Sequence, residues 1–141
     1  MVRAEVEKPV KITVDTNVLV RAAVRDDRQQ ADAAVRLLRG AELIAVPLPA
    51  LCELAWVLDR VYSFSREEIA AAISALLDAA NVAVNRPAVE AGLDVFRAGG
   101  DFADGVIAFE GRWLGGEVFA SFDKRAVTRL ARLGVATRQL L

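Results

Sequence analysis

At 141 residues the chain is long enough for one domain that buries roughly two thirds of its unfolded surface, and although 55% of it is hydrophobic, no uninterrupted apolar stretch reaches membrane-span length. It has no histidine and a single cysteine, Cys52, which excludes Ser-His-Asp and Cys-His nucleophiles, histidine general bases, typical zinc sites and an internal disulfide. Net charge is -1, so no global field draws the chain to a polyanion, and with no signal-peptide pattern in Met1-Val2-Arg3-Ala4-Glu5 the reading is a cytoplasmic protein with no membrane role.

Residues 10–14 follow a short tail over residues 1–8. Val10, Ile12 and Val14 share one parity in a β-branched run, which predicts a buried strand ending on Asp15. A helix is expected over residues 18–24, so Asp15 lies at the carboxyl end of a strand, the edge where α/β sheets bind ligands. As a simple alternative, Asp15 or Asn17 caps that helix. A second helix spans residues 28–39 and stops at Gly40, and a second strand covers residues 43–46.

Pro47 and Pro49 lead into an almost wholly apolar helix over residues 50–61 in which Glu53 is the exception. Its neighbours Ala50, Trp56 and Val57 place a carboxylate in apolar surroundings, with an ion pair to Arg60 as the competing account. Ser65 and Glu68 form a capping-box pattern ahead of the stripe Ile69, Ile73, Leu76 and Leu77. Residues 82–84 read as a third strand, and Pro87 opens a helix that Gly99-Gly100 breaks. Asp101-Phe102-Ala103-Asp104 begins the next helix, with Asp104 three residues after Asp101 on the same face; the simple readings are an N-cap for Asp101 and a favourable first-turn charge for Asp104. A fourth strand over residues 117–121 ends at Phe122-Asp123, a helix covers residues 125–132, and residues 135–137 form a last extended piece.

Strands alternating with helices imply a single α/β domain over residues 1–141, with a parallel sheet covered on both faces. Asp15 and Asp123 each follow a strand, and Glu53 and Asp104 lie early in helices. Carboxylates converging on one sheet edge repel one another unless a cation or protons relieve them. An all-oxygen set suits magnesium or manganese, and metal-assisted hydrolysis of a phosphodiester is the chemistry that fits. Of the 18 basic residues 15 are Arg, the type suited to phosphate, but they are spread along the whole chain. A nucleic acid would need a local patch, for which Arg21, Arg25 and Arg112 are candidates, and Val57, Leu58 and Tyr62 are candidates for an apolar partner face.

The segments Asp15-Thr16-Asn17-Val18-Leu19, Glu53 in its apolar helix, Asp101-Phe102-Ala103-Asp104-Gly105-Val106-Ile107-Ala108 and Ser121-Phe122-Asp123-Lys124 resemble the PIN domain. In size and motif order they are most similar to its bacterial VapC toxin branch, over residues 11–137. The resemblance implies a three-layer α/β/α fold with a parallel central sheet of about five strands. It further implies a magnesium-dependent endoribonuclease that forms a homodimer and is neutralised by a cognate antitoxin. Asp15, Glu53 and Asp104 match the core acids and Asp123 the more variable fourth, with Asp15, Asp104 and Asp123 as metal ligands. Asn17 and Ser121 match polar positions that orient ligands or water, and Thr16 is grouped with them. Gly105 stands where many relatives have alanine, and the expectation is a slightly looser helix start without effect on the acids.

Three rivals have distinct signatures. A dehalogenase-like phosphatase needs an acid two residues after Asp15, where this chain has Asn17; a phosphoryl-accepting receiver would recruit Lys124, which instead follows Asp123 directly. A catalytically silent PIN-fold binding module would use the acids to hold a partner's arginines. The RNA, its cleavage context, the antitoxin interface, the number of metals and whether Asp101 is a ligand or only a cap stay open at this level.

Overall fold

Five strands and seven helices alternate along residues 10–141, the part of the chain that the computed structural model describes. These residues fall into two compact units, the first ending at Val84 and the second running Asn85–Leu141. The anticipated tail over residues 1–8 lies outside the described residues.

The first unit contains β1 (Lys11–Thr13), α1 (Thr16–Val24), α2 (Arg28–Gly40), β2 (Leu43–Ala45), α3 (Leu48–Arg60), α4 (Arg66–Asp78) and β3 (Val82–Ala83). Its strands form a parallel sheet in the order β1-β2-β3, with Ile12 opposite Ile44 and Ile44 opposite Val82. Alternation places Ile44 and Val46 in the core, whereas in the first strand only Val14 is buried, Ile12 is half-buried and Val10 is exposed. The ladder continues one residue past β1, where the Val14 N–H donates to the Ala45 carbonyl at 3.2 Å and holds the strand end that carries Asp15.

Helix starts follow side-chain chemistry. Asp27 caps α2 by accepting from the Gln30 N–H, and Ser65 and Glu68 form the anticipated capping box on α4, at 3.1 and 2.8 Å. α3 begins two residues earlier than its composition predicts. Pro49 fits inside its first turn, where the missing N–H has no intrahelical partner to lose.

The second unit contains α5 (Arg86–Arg97), α6 (Phe102–Trp113), β4 (Phe119–Ser121), α7 (Lys124–Arg132) and β5 (Thr137–Gln139). β4 and β5 pair in parallel, so all five strands anticipated for one sheet are present, as a trio in the first unit and a pair in the second. β5 starts two residues later than expected because Gly134, at φ +91°, and Val135 still close the end of α7. Their N–H groups donate to the Ala131 and Leu130 carbonyls, a Schellman closure, and the chain becomes extended only beyond it. No helix among the described residues is long and apolar enough to cross a membrane.

α5 and α6 approach backbone to backbone, around the fully buried Phe102 ring. A Cβ on Gly105 would stand 2.5 Å from the Ala91 carbonyl oxygen and 2.7 Å from the Gly92 Cα, and one on Gly92 would stand 2.7 Å from the Phe102 ring. Gly105 is therefore a packing requirement beside Asp104, which corrects the expectation that it only loosens the helix start. Gly105→Ala is expected to destabilise the protein by up to about 2 kcal/mol, a ~1–3 kcal/mol overpacking cost less a gain of ~1 kcal/mol in helix propensity. A shifted urea midpoint at unchanged slope would register it.

Candidate active site

In the first unit, Asp15 leaves the end of β1 in an extended conformation and caps α1, with Oδ1 accepting from the Val18 N–H at 3.2 Å. Its other carboxylate oxygen has no hydrogen-bond partner among the described residues. Thr16, the first residue of α1, donates its hydroxyl to Glu53 Oε1 at 2.6 Å. The side chains following β1 and β2 are thereby tied together, Asp15 being the immediate neighbour of the threonine that positions Glu53.

Glu53 itself is exposed, not set in apolar surroundings. The buried face of α3 is formed by Leu51, Leu54, Ala55 and Leu58, and Glu53 falls on the outward stripe with Trp56 and Arg60, at helical spacing. The competing ion pair is also absent among the described residues, since Arg60 pairs with Asp59 at 3.5 Å. Asn17 is exposed on the first turn of α1.

In the second unit, three acids stand at two helix N-termini. Asp101 caps α6, with Oδ1 accepting from the Ala103 N–H at 3.2 Å; Asp123 follows β4 and caps α7, with Oδ1 accepting from Arg125 and Ala126 at 3.0 and 3.2 Å. Ser121 Oγ accepts from the Asp123 N–H at 2.9 Å and so fixes the turn that presents this carboxylate. Positive helix ends make such positions favourable for anions.

Asp104, in the first turn of α6, is half-buried and makes no side-chain hydrogen bond or ion pair among the described residues. Burial raises its carboxyl above the usual value of 3.8, and the charges of Asp101 and Asp123 push it further the same way. The Arg129 charge opposes them. Three carboxylates thus share a field that one arginine only partly offsets; the capping reading of Asp101 is correct, and Asp123 is a cap as well.

Arg129 was not among the anticipated residues. It is half-buried on α7 and lies across the Gly99-Gly100 bend, where a Cβ on Gly100 would come within 2.5 Å of its Cδ. Among the anticipated arginines, Arg21 is already engaged, donating to Asp26 at 2.7 Å and to the Tyr62 hydroxyl at 3.2 Å. The same contacts occupy Tyr62, and Leu58 is fully buried, so neither offers the free apolar face expected of them.

The donors fit a hard divalent ion by their chemistry, all being oxygens, with an excess of negative charge about Asp104. Among the described residues no three acids form a ready cage. Magnesium demands none, since it keeps several waters and is bound through one or two carboxylates and the substrate's phosphates.

No curated protein matches the chain. The family model of the PIN domain matches residues 12–133, which is most of the chain. The α/β order of helices and parallel strands agrees with that match, and the chain belongs to the PIN domain family, whose members are in general nucleases that typically use divalent metals.

Proposed function

We propose that the protein is a magnesium-dependent endoribonuclease, with manganese as a substitute ion, and that Asp15, Glu53, Asp104 and Asp123 are its acids. Asp15, Asp104 and Asp123 would hold the ion, and Glu53 would act on it or on its water shell. The observation that carries this reading is the half-buried Asp104 carboxylate, which makes no side-chain hydrogen bond or ion pair among the described residues and whose pKa is raised by burial and then by the charges of Asp101 and Asp123, with only Arg129 against them. A like-charge cluster of this kind weakens the fold unless a cation occupies it.

A divalent cation supplies an ionised water near neutral pH and charge stabilisation for the departing oxygen. The protein's own residues do the positioning. Thr16 fixes the Glu53 carboxylate through its 2.6 Å hydrogen bond, Ser121 fixes the Asp123 turn, and the caps on α1 and α7 leave each aspartate one oxygen for a ligand. Asn17 would orient water or substrate from the start of α1.

We further assign the protein to the toxin side of a toxin–antitoxin pair, acting as a homodimer and silenced by a small cognate antitoxin. Support comes from the motif order and from the apolar surface of the second unit. Trp113 and Leu114 are 83% and 84% exposed, beside a cleft of about 450 Å³ bordered by Ile107, Val118 and Leu133. A contiguous exposed apolar patch is a mark of a partner site.

Incubation of the purified protein with a cellular RNA pool tests the reaction. Cleavage is expected in magnesium, with 5′-phosphate and 3′-hydroxyl ends, and is expected to stop on chelation and return on manganese addition. Cleavage that continues in chelator, or none in either metal, would refute the assignment.

A further inference from the structure

α7 is strongly two-sided. Ala126, Val127 and Leu130 point into the core, whereas Lys124, Arg125, Thr128, Arg129 and Arg132 line a shallow depression of about 260 Å³. None of these four cations has an ion pair among the described residues. In the first unit, Lys11 pairs with Glu42 at 3.8 Å, Arg21 with Asp26 and Arg60 with Asp59.

For the helix itself this arrangement is of mixed value. Arg129 and Arg132 sit in the last turn, where cations suit the helix dipole, but Lys124 and Arg125 occupy the first, where they oppose it. Arg125 and Arg129 also repel as like charges four residues apart. Such a stripe makes sense as a binding surface for a polyanion, and guanidinium groups match phosphate oxygens in pairs.

We propose that this face of α7 binds the sugar-phosphate backbone of single-stranded RNA and leads the strand to Asp123, the residue just before the helix. The proposal rests on the ribonuclease reading and adds the surface that holds the substrate. From Lys124 to Arg132 the helix rises about 12 Å, the length of about three stacked nucleotides at ~3.4 Å each. Recognition here is of backbone charge, so it gives affinity and register and not sequence.

The test uses full-length Asp15→Asn protein in chelator, so that nothing is cut, with a fluorescein-labelled single-stranded 12-mer RNA read by anisotropy across sodium chloride concentrations. Lys124→Gln, Arg125→Gln and Arg132→Gln are each expected to flatten the logarithmic salt dependence by about 0.7, and the triple variant by about 2, since each lost phosphate contact releases that much less counterion. Glutamine is a good helix former, and an unchanged circular dichroism melt shows that the fold is intact. A folded triple variant with an unchanged slope overturns the proposal, as does tight binding of poly-glutamate in place of RNA, which would make the face a seat for an acidic protein. Cleavage by the parent chain in magnesium is scored separately. A flattened slope without cleavage keeps the surface and removes the ribonuclease reading, and cleavage with an unchanged slope does the reverse.

Discussion

Asp104→Asn protein is expected to be more stable than the parent in metal-free buffer at neutral pH, and to cleave no RNA. The stability gain follows from the direction of its pKa. A carboxyl whose folded value lies above its ordinary 3.8 contributes fully to stability below that ordinary value and loses the contribution as pH rises through the folded value. At neutral pH the parent therefore holds Asp104 ionised against burial and against Asp101 and Asp123, and asparagine removes that cost. Melting curves at several pH values check it. The gap between the two proteins should be present at neutral pH and close as pH falls below the ordinary carboxylate value. A ligand that binds only the folded state raises its stability by mass action, so manganese should raise the parent's melting temperature and leave that of Asp104→Asn nearly unchanged. A variant less stable than its parent at neutral pH would mean that the acid serves the fold and not the reaction.

The second large effect separates capping from chemistry at Asp15. Its Oδ1 bond to the Val18 N–H is one that asparagine or serine can also make. Asp15→Asn and Asp15→Ser should therefore melt within about 0.5 kcal/mol of the parent, and Asp15→Ala about 1 kcal/mol lower. Cleavage should nevertheless fall in all three by more than the ~10–100-fold typical of residues that only support a metal ligand. Cleavage that follows the cap, kept in Asn and Ser and reduced only in Ala, would return Asp15 to a structural role.

Much of this was legible in the chain itself because the signals were local. The β-branched run before Asp15, the Ser65–Glu68 box and the turns at Gly99, Gly115 and Gly134 each act within a few residues and are found where the pattern places them, although the strand buries only Val14 and Gly40 is the last residue of its helix. The acids at strand ends and helix starts were legible for the same reason. Glu53 differs from its expectation because an apolar composition does not bury a helix on every side. The stripe Glu53, Trp56, Arg60 was visible at helical spacing, but only the packing of Leu51, Leu54 and Leu58 decides which side faces inward. Gly105 and Arg129 depend on contacts across elements. The approach of α5 to α6, and the lie of an arginine over Gly99-Gly100, have no periodic signature. Strand pairing is likewise non-local, and strands of two or three residues carry too little pattern to foretell how five of them divide.

Calorimetric titration of the parent, Asp15→Asn and Asp104→Asn proteins with manganese asks most directly whether carboxylates distant in sequence serve one ion. The account predicts measurable binding by the parent and a loss of at least tenfold in affinity in each variant. Equal affinity in all three, or none in the parent, would contradict it.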